Sequence, residues 1–342
     1  MNTIIVSPSG NFYGSEQVLY NFLNKTSNKY RVYVPKSSVF YYKLKELQKH
    51  RISGFKSLPW LYFKLCLKVL AGGLKSIYIN EGGHIKYAKL LAKIAPKSSI
   101  ILHIRLLEDC ESKRLGVLPS NVKLIGISDF ISHKLTDYPH SVIYDPIDVN
   151  DLTVSEKINR KKQFTVGIVG RVSETKGVAY YEAFFNHIFL GSFKSTIEFH
   201  FFGDVIFSEE VSTKFYETFS NKHYPVFFRG FVQNQDELFG QLDLVLHLNP
   251  NEPLGRVGLE SWSRGIPFVC FNSGGTGEIN KRLGLESFSI DVMEGWEDLL
   301  KNRIEKIMKE LPSEDISRAK KGIIRNYGSS RYVSELENHF KY

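Results

Sequence analysis

Cysteine, methionine and tryptophan are scarce in this chain, with three of each among 342 residues. Cys66, Cys110 and Cys270 share no Cys-x-x-Cys spacing, which excludes a disulfide framework and a cysteine-held zinc site. They are expected to be reduced, largely buried thiols of a cytosolic protein. No apolar run reaches the roughly 18 residues that span a bilayer. The nearest candidate, LPWLYFKLCLKVL at 58–70, is too short and carries Lys64 and Lys68. The opening MNTIIV has neither a basic nor a long apolar region, so no secretory signal is expected. Helix-turn-helix, RNP and zinc-finger signatures are missing, and nucleic acid is not an expected partner. Acidic residues are missing locally: between 25 and 97 there are 16 Lys and Arg against only Glu46 and Glu81.

The remainder is an ordinary globular composition, 42% hydrophobic and 24% charged. At roughly 150 residues per domain the length suggests two domains. Charge divides between them. Residues 1–150 hold 21 basic and 10 acidic side chains, and residues 151–342 hold 24 and 26, a split of +11 against −2.

Strand and helix patterns alternate throughout. Buried-strand patterns occur at 3–7, 30–34, 76–79, 99–103, 122–127 and 142–144, and amphipathic segments lie between most of them. Ser15 is placed to cap the first helix. Residues 145–163, polar and containing Pro146, read as a linker. A second series follows, with strands at 164–169, 197–202, 225–228, 244–248 and 267–271 and helices at 177–189 and 236–241. After Gly295 the pattern is helical. This predicts two doubly wound α/β domains, 1–150 and 151–327, with ligands at the carboxyl ends of the strands and a cleft between the domains.

Three strand-to-helix loops carry candidate chemistry. The first, SGNFYGSE, holds Gly10 and Gly14 before a helix N-terminus, where the backbone can approach an anion; it is not Gly-x-Gly-x-x-Gly, which disfavours a nicotinamide dinucleotide. The second, GRVSETKG, places Arg171 and Lys176 five residues apart, as a clamp for a diphosphate would. The third, NPNEPLGRVGLE, follows an apolar strand. Pro253 keeps Glu252 out of helical geometry. A helix starting near Gly255 exposes the N–H groups of Leu254, Gly255 and Arg256 to phosphate or sugar oxygens. Glu252 before the helix and Glu260 inside it are expected to reach one site from different depths. Glu260 read alone is a salt-bridged surface residue, but Val257, Leu259 and Trp262 around it point to a buried helix, where an unpaired carboxylate is costly.

Taken together, Arg171-x4-Lys176-Gly177, then EPLGRVGLE, then GIPFVCFNSGGTGEI resemble glycosyltransferase family 4, the glycosyl transferases group 1 proteins, whose hallmark Glu-x7-Glu is matched by Glu252 and Glu260. The resemblance covers essentially the whole chain and is strongest over 164–280. It implies a GT-B fold, two Rossmann-like domains about a cleft, and a retaining transfer of sugar from a nucleoside-diphosphate sugar. By resemblance, Arg171 and Lys176 neutralise the donor diphosphate, Glu252 holds the donor sugar and Glu260 the ribose. Gly14 meets the phosphates, and Gly230, Phe231 and Val232 cradle the base. His103 matches a histidine near the transferred sugar, and the last helix, 328–342, returns to the first domain. The chain departs from the family pattern at Asn249, Asn251 and Asp145-Pro146. The run after His103 leaves open whether Arg105, Glu108 or Asp109 joins the site.

No Asp-x-Asp metal motif occurs and no cofactor is expected, the nucleotide sugar being a substrate. Leaving-group charge then falls to Arg171, Lys176 and helix N-termini. The acceptor hydroxyl attacks on the face the diphosphate leaves; a Glu252 nucleophile is the alternative. The expected acceptor is a glycan, lipid-linked, in bacterial surface polysaccharide synthesis. The basic 25–97 region is expected to meet an anionic membrane surface, placing the protein in the cytoplasm at the inner face of the membrane. Competing readings are a sugar-nucleotide epimerase of GT-B architecture and a non-catalytic nucleotide- or glycan-binding subunit.

Overall fold

The computed structural model describes residues 3–72, 74–148, 163–189, 197–205, 216–217, 219 and 224–341. The chain divides into two compact units, Met1–Asp148 with Asn326–Tyr342, and Val149–Arg325.

Unit 1 alternates β1 (Thr3–Val6), α1 (Gly14–Lys25), β2 (Arg31–Pro35), α2 (Val39–Glu46), β3 (Arg51–Phe55), α3 (Leu58–Leu70), β4 (Ser76–Ile79), α4 (Ile85–Ile94), β5 (Ser99–Ile104), α5 (Ser112–Leu115), β6 (Val122–Gly126), α6 (Asp129–Ser132) and β7 (His140–Val142). The sheet is parallel, in the order β3-β2-β1-β4-β5-β6-β7. Strands β1, β4 and β5 are buried along their whole length, which is why they read as mainly apolar runs. The core on one face joins Ile5, Tyr78, Ile101 and Ile125 of the sheet to Leu19 and Phe22 of α1 and to Tyr332, Leu336 and Phe340 of the final helix.

Unit 2 contains β8 (Phe164–Val169), α7 (Val178–Phe189), β9 (Ile197–Phe202), β10 (Val226–Gly230), α8 (Gln235–Gly240), β11 (Leu244–His247), α9 (Arg256–Ser263), β12 (Phe268–Phe271), α10 (Gly274–Arg282), β13 (Ser289–Ile290) and α11 (Trp296–Lys309). Its parallel order is β10-β9-β8-β11-β12-β13. Helix α12 (Ser313–Tyr327) ends in unit 1, where α13 (Ser329–Lys341) packs on α1.

The expected fold class, two doubly wound parallel sheets, is the one observed. Several local expectations are corrected. Helix α1 begins at Gly14, so Ser15 lies inside it; the carboxylate of Glu16 accepts the Tyr13 N–H at 3.0 Å and does the capping. The strand expected at 142–144 lies at His140–Val142. Strands β3 and β13 were not foreseen: β3 is a half-exposed edge without an apolar run, and β13 has two residues. The expected linker, residues 145–163, lies outside the described residues from 149 to 162. Its first residues are no linker: Asp145 is buried and Ile147 pairs with Gly328. All three cysteines are buried and unbridged. No helix among the described residues is long and apolar enough to cross a membrane.

Candidate active site

The loops at the carboxyl ends of β8 and β11 converge in unit 2. Gly170, with φ +129°, ends β8, and Gly203 packs on it so closely that a Cβ there would stand 2.0 Å from the Gly170 carbonyl oxygen. Gly177, with φ +77°, lies against the end of β11, where a Cβ would stand 1.9 Å from the Leu248 carbonyl oxygen. That position is closed to any L side chain, and it brings Lys176 to the loop after β11.

Lys176 Nζ donates to Glu252 Oε2 at 2.8 Å, and Asn249 Nδ2 donates to the same oxygen at 3.0 Å. His247 Nε2 faces it at 3.4 Å, the long limit of a hydrogen bond. Burial would raise the Glu252 carboxyl, but the His247 contact and the Lys176 ammonium outweigh it and hold the group well below the usual carboxylate range. Glu252 is therefore a fixed acceptor, ionised throughout the neutral range. Beside it opens a cavity of about 160 Å³ lined by Gly170, Arg171, Lys176, Tyr181, His247 and Glu252, among others. Arg171 is exposed on its rim and has no ion-pair partner among the described residues.

The GGTGE segment explains how the Glu252 loop is held. Gly275 N–H donates to the Glu252 carbonyl at 2.6 Å, and a Cβ on Gly275 would stand 2.5 Å from the Leu254 Cα. Gly274, with φ +61°, sits under the same loop, 2.9 Å from the carbonyl oxygens of Pro250 and Glu252 at its Cβ position.

Arg171, Lys176 and Glu252 are thus brought together. Glu260 is not among the residues lining that cavity; it is buried on α9 and faces Arg256 NH2 at 3.4 Å, so it is both buried and paired. Gly255 caps α9 with φ +79°, Leu254 is buried beside it, and Arg256 opens the helix. Gly230 ends β10 with φ +67°, and Phe231 is exposed with Val232 behind it, away from the cavity lining. Gly14 is the first residue of α1 in unit 1. His247 and Asn249 were missed as binding groups. Their signal was available: a histidine ending an apolar strand, and an asparagine opening the motif loop.

In unit 1, His103 lies near the end of β5, where the resemblance places the histidine beside the transferred sugar. Its ring is wholly buried on the sheet face covered by α1 and α13; Nδ1 bonds the Tyr78 hydroxyl at 2.7 Å, and burial holds its pKa well below the usual value. Its Nε2 is buried without a hydrogen-bond partner among the described residues. Arg105 is also committed inward: NH1 donates to both Asp145 oxygens at 2.5 and 2.6 Å and Nε to the Asn80 carbonyl at 3.2 Å. Glu108 is exposed. Asp109 is buried beside Gly82, and burial lifts its carboxyl to about 6 against the pull of Arg114. Burial, reinforced by the neighbouring Glu16, lifts Glu81 to about 7. Both raised carboxyls stand just after strands β4 and β5, at the sheet edge where such folds hold ligands.

Over residues 151–321 the chain matches the family described as glycosyl transferases group 1. Among solved structures, HepE of Anabaena in complex with UDP is similar at a TM-score of 0.80 and 18% identity, covering 100% of each chain. A glycosyltransferase from Rickettsia africae ESF-5 gives 0.77 and 12%, covering 99% of this chain and 97% of that one. The lipopolysaccharide outer core galactosyltransferase WaaB gives 0.71 and 16%, covering 98% of each. At these identities the likeness is one of fold. No curated protein matches the chain in sequence.

Proposed function

The chain is a glycosyltransferase belonging to the glycosyl transferases group 1 family, and on that premise we propose that it is a retaining, metal-independent enzyme using a nucleoside-diphosphate sugar. The observation that carries this is the Lys176–Glu252 pair at the cavity that Arg171 overlooks. Lys176 and Arg171 meet the charge of the diphosphate as it leaves, an electrostatic role that needs no rearrangement. Glu252, held ionised by its neighbours, accepts hydrogen bonds from the donor sugar hydroxyls and fixes the ring. Glu260 takes the ribose and residues 230–232 the base. The acceptor hydroxyl attacks the anomeric carbon on the face from which the diphosphate departs. The C–O bond to the phosphate breaks, and a leaving phosphate oxygen receives the proton. No protein nucleophile is assigned.

The acceptor is a glycan carried on lipid, in bacterial surface polysaccharide synthesis such as capsule or O-antigen, and the protein works at the cytoplasmic membrane face. Support comes from the basic 25–97 segment and from a fold shared with a galactosyltransferase of the lipopolysaccharide core. Release of sugar and nucleoside diphosphate from a panel of nucleotide sugars, with and without acceptor, tests the reading. One donor should turn over, and Lys176→Ala and Glu252→Ala should each abolish its use while the fold persists. Near-wild-type turnover by either variant overturns the assignment, as does conversion of the donor to an epimer without acceptor.

A further inference from the structure

Unit 1 has a concave feature on the sheet edge opposite the Glu81 and Asp109 loops. A groove of about 580 Å³ runs across the amino ends of β1, β2 and β3, bounded by their first residues Thr3, Arg31 and Arg51. Five cations line it, Lys29, Arg31, Lys49, Arg51 and Lys68, and no carboxylate does. Among the described residues none of the five has an ion-pair partner. Lys68 instead donates to the Tyr33 hydroxyl at 2.6 Å, and Lys49 to the Thr26 carbonyl. Catalytic loops follow the carboxyl ends of parallel strands, so the sugar transfer proposed above leaves this groove unused.

Helix α3 ends in the groove, through Lys68, Ala71 and Gly72. Its inner face buries Leu61, Tyr62, Leu65 and Cys66. The outer face is not polar. Trp60, Phe63, Leu67 and Leu70 are 57%, 50%, 52% and 69% exposed and recur at helical spacing as one stripe. The rings of Trp60 and Phe63 stack at 5.2 Å, with Lys64 Nζ 5.3 Å from the Trp60 ring. Lys56, Lys64 and Lys75 are exposed around the stripe. An apolar stripe of this size on a solvated helix marks an interaction surface.

We propose that the α3 stripe and the cationic groove form one docking surface for an anionic phospholipid bilayer, with Trp60, Phe63, Leu67 and Leu70 entering the interfacial layer and the groove taking phosphate headgroups. The charge selects this occupant. A second copy of the chain would set lysine against lysine, whereas an anionic leaflet complements both halves of the surface. This deepens the membrane reading given above and is independent of the sugar chemistry.

The test uses the full chain with vesicles of phosphatidylglycerol and phosphatidylcholine, against phosphatidylcholine alone. Co-sedimentation with the anionic vesicles is expected, weakening as salt rises. Tryptophan emission should shift to the blue, a change reporting Trp60 because Trp262 and Trp296 are buried. Arg31→Glu with Arg51→Glu, and separately Phe63→Ser with Leu67→Ser, should each weaken vesicle binding by about tenfold or more. Both variants should keep wild-type donor hydrolysis, so loss of docking is distinguishable from failure of the sugar-transfer reading. Absence of wild-type binding to anionic vesicles overturns the proposal. So does unchanged binding in both variants, full competition by inorganic phosphate, which would make the groove a soluble-anion site, or self-association that Phe63→Ser with Leu67→Ser abolishes without any vesicle binding.

Discussion

Lys176 Nζ and Glu252 Oε2 stand 2.8 Å apart although they belong to loops following different strands, β8 and β11. The pair is only partly screened: the two side chains are 30% and 15% exposed. Its geometry depends on Gly177 lying against the Leu248 carbonyl and on Gly275 holding the Glu252 backbone. Two glycines far apart in sequence thus fix one ion pair, and the ion pair defines the cavity wall.

Replacing Lys176 by alanine leaves the Glu252 carboxylate buried with Asn249 and His247 alone. Stability should fall by about 1–3 kcal/mol, the penalty for a buried charged group losing a partner. Turnover should fall by about 100-fold or more, because a preorganised cation at the leaving group is removed. Chemical denaturation and donor turnover of the variant measure the two effects separately.

Acid should weaken the protein through Glu252. Its folded-state pKa lies below that of the unfolded chain, so its contribution is fully present above the ordinary glutamate value of about 4.3 and is lost as pH falls further. Glu252→Gln should flatten the acid limb of the stability curve. An acid limb identical to wild type would show that the carboxylate is not held by its neighbours.

Glu81 has the opposite sign. Its carboxyl is lifted to about 7 by burial and then by Glu16, so the folded state binds the proton more tightly than the unfolded chain. That contribution is whole below about 4.3 and is lost as pH rises towards 7. Asp109, lifted to about 6, adds to the same trend. Glu81→Gln should therefore gain stability over wild type at pH about 8, by about 1–3 kcal/mol after allowing for its partial exposure, and lose that advantage at pH about 4. Thermal unfolding across that range measures it.

The Arg105–Asp145 pair holds the end of unit 1 together, with side chains only 9% and 6% exposed. Asp145→Asn should cost about 3–5 kcal/mol, since it strands a buried guanidinium. Double substitution by apolar residues of similar volume should recover part of that loss. Urea unfolding of the single and double variants checks both statements.

The fold was legible because fully buried parallel strands such as β1, β4 and β11 leave apolar runs that end at glycine or polar loops. The edge strand β3 left no such run, and the Glu16 cap was hidden behind a serine with better intrinsic propensity. Arg171, Lys176 and Glu252 could be read as neighbours because their loops both follow central strands. The surroundings of His103 could not be read. Its position at a strand end says nothing about which sheet face it occupies, and the face it occupies is sealed by α13, more than two hundred residues later in the chain. Arg105 was ambiguous for the same reason: its partner Asp145 lies 40 residues away and had been read as linker.

Calorimetric titration of the nucleoside diphosphate released from the preferred donor into wild type and into the Arg171→Ala, Lys176→Ala double variant tests most directly whether this cavity holds the donor diphosphate. Wild type should bind, and the double variant should bind about 100-fold or more weakly while retaining its fold, since two charge-assisted contacts to phosphate are gone. Equal affinity for that diphosphate in the two proteins would contradict the assignment and place the diphosphate elsewhere.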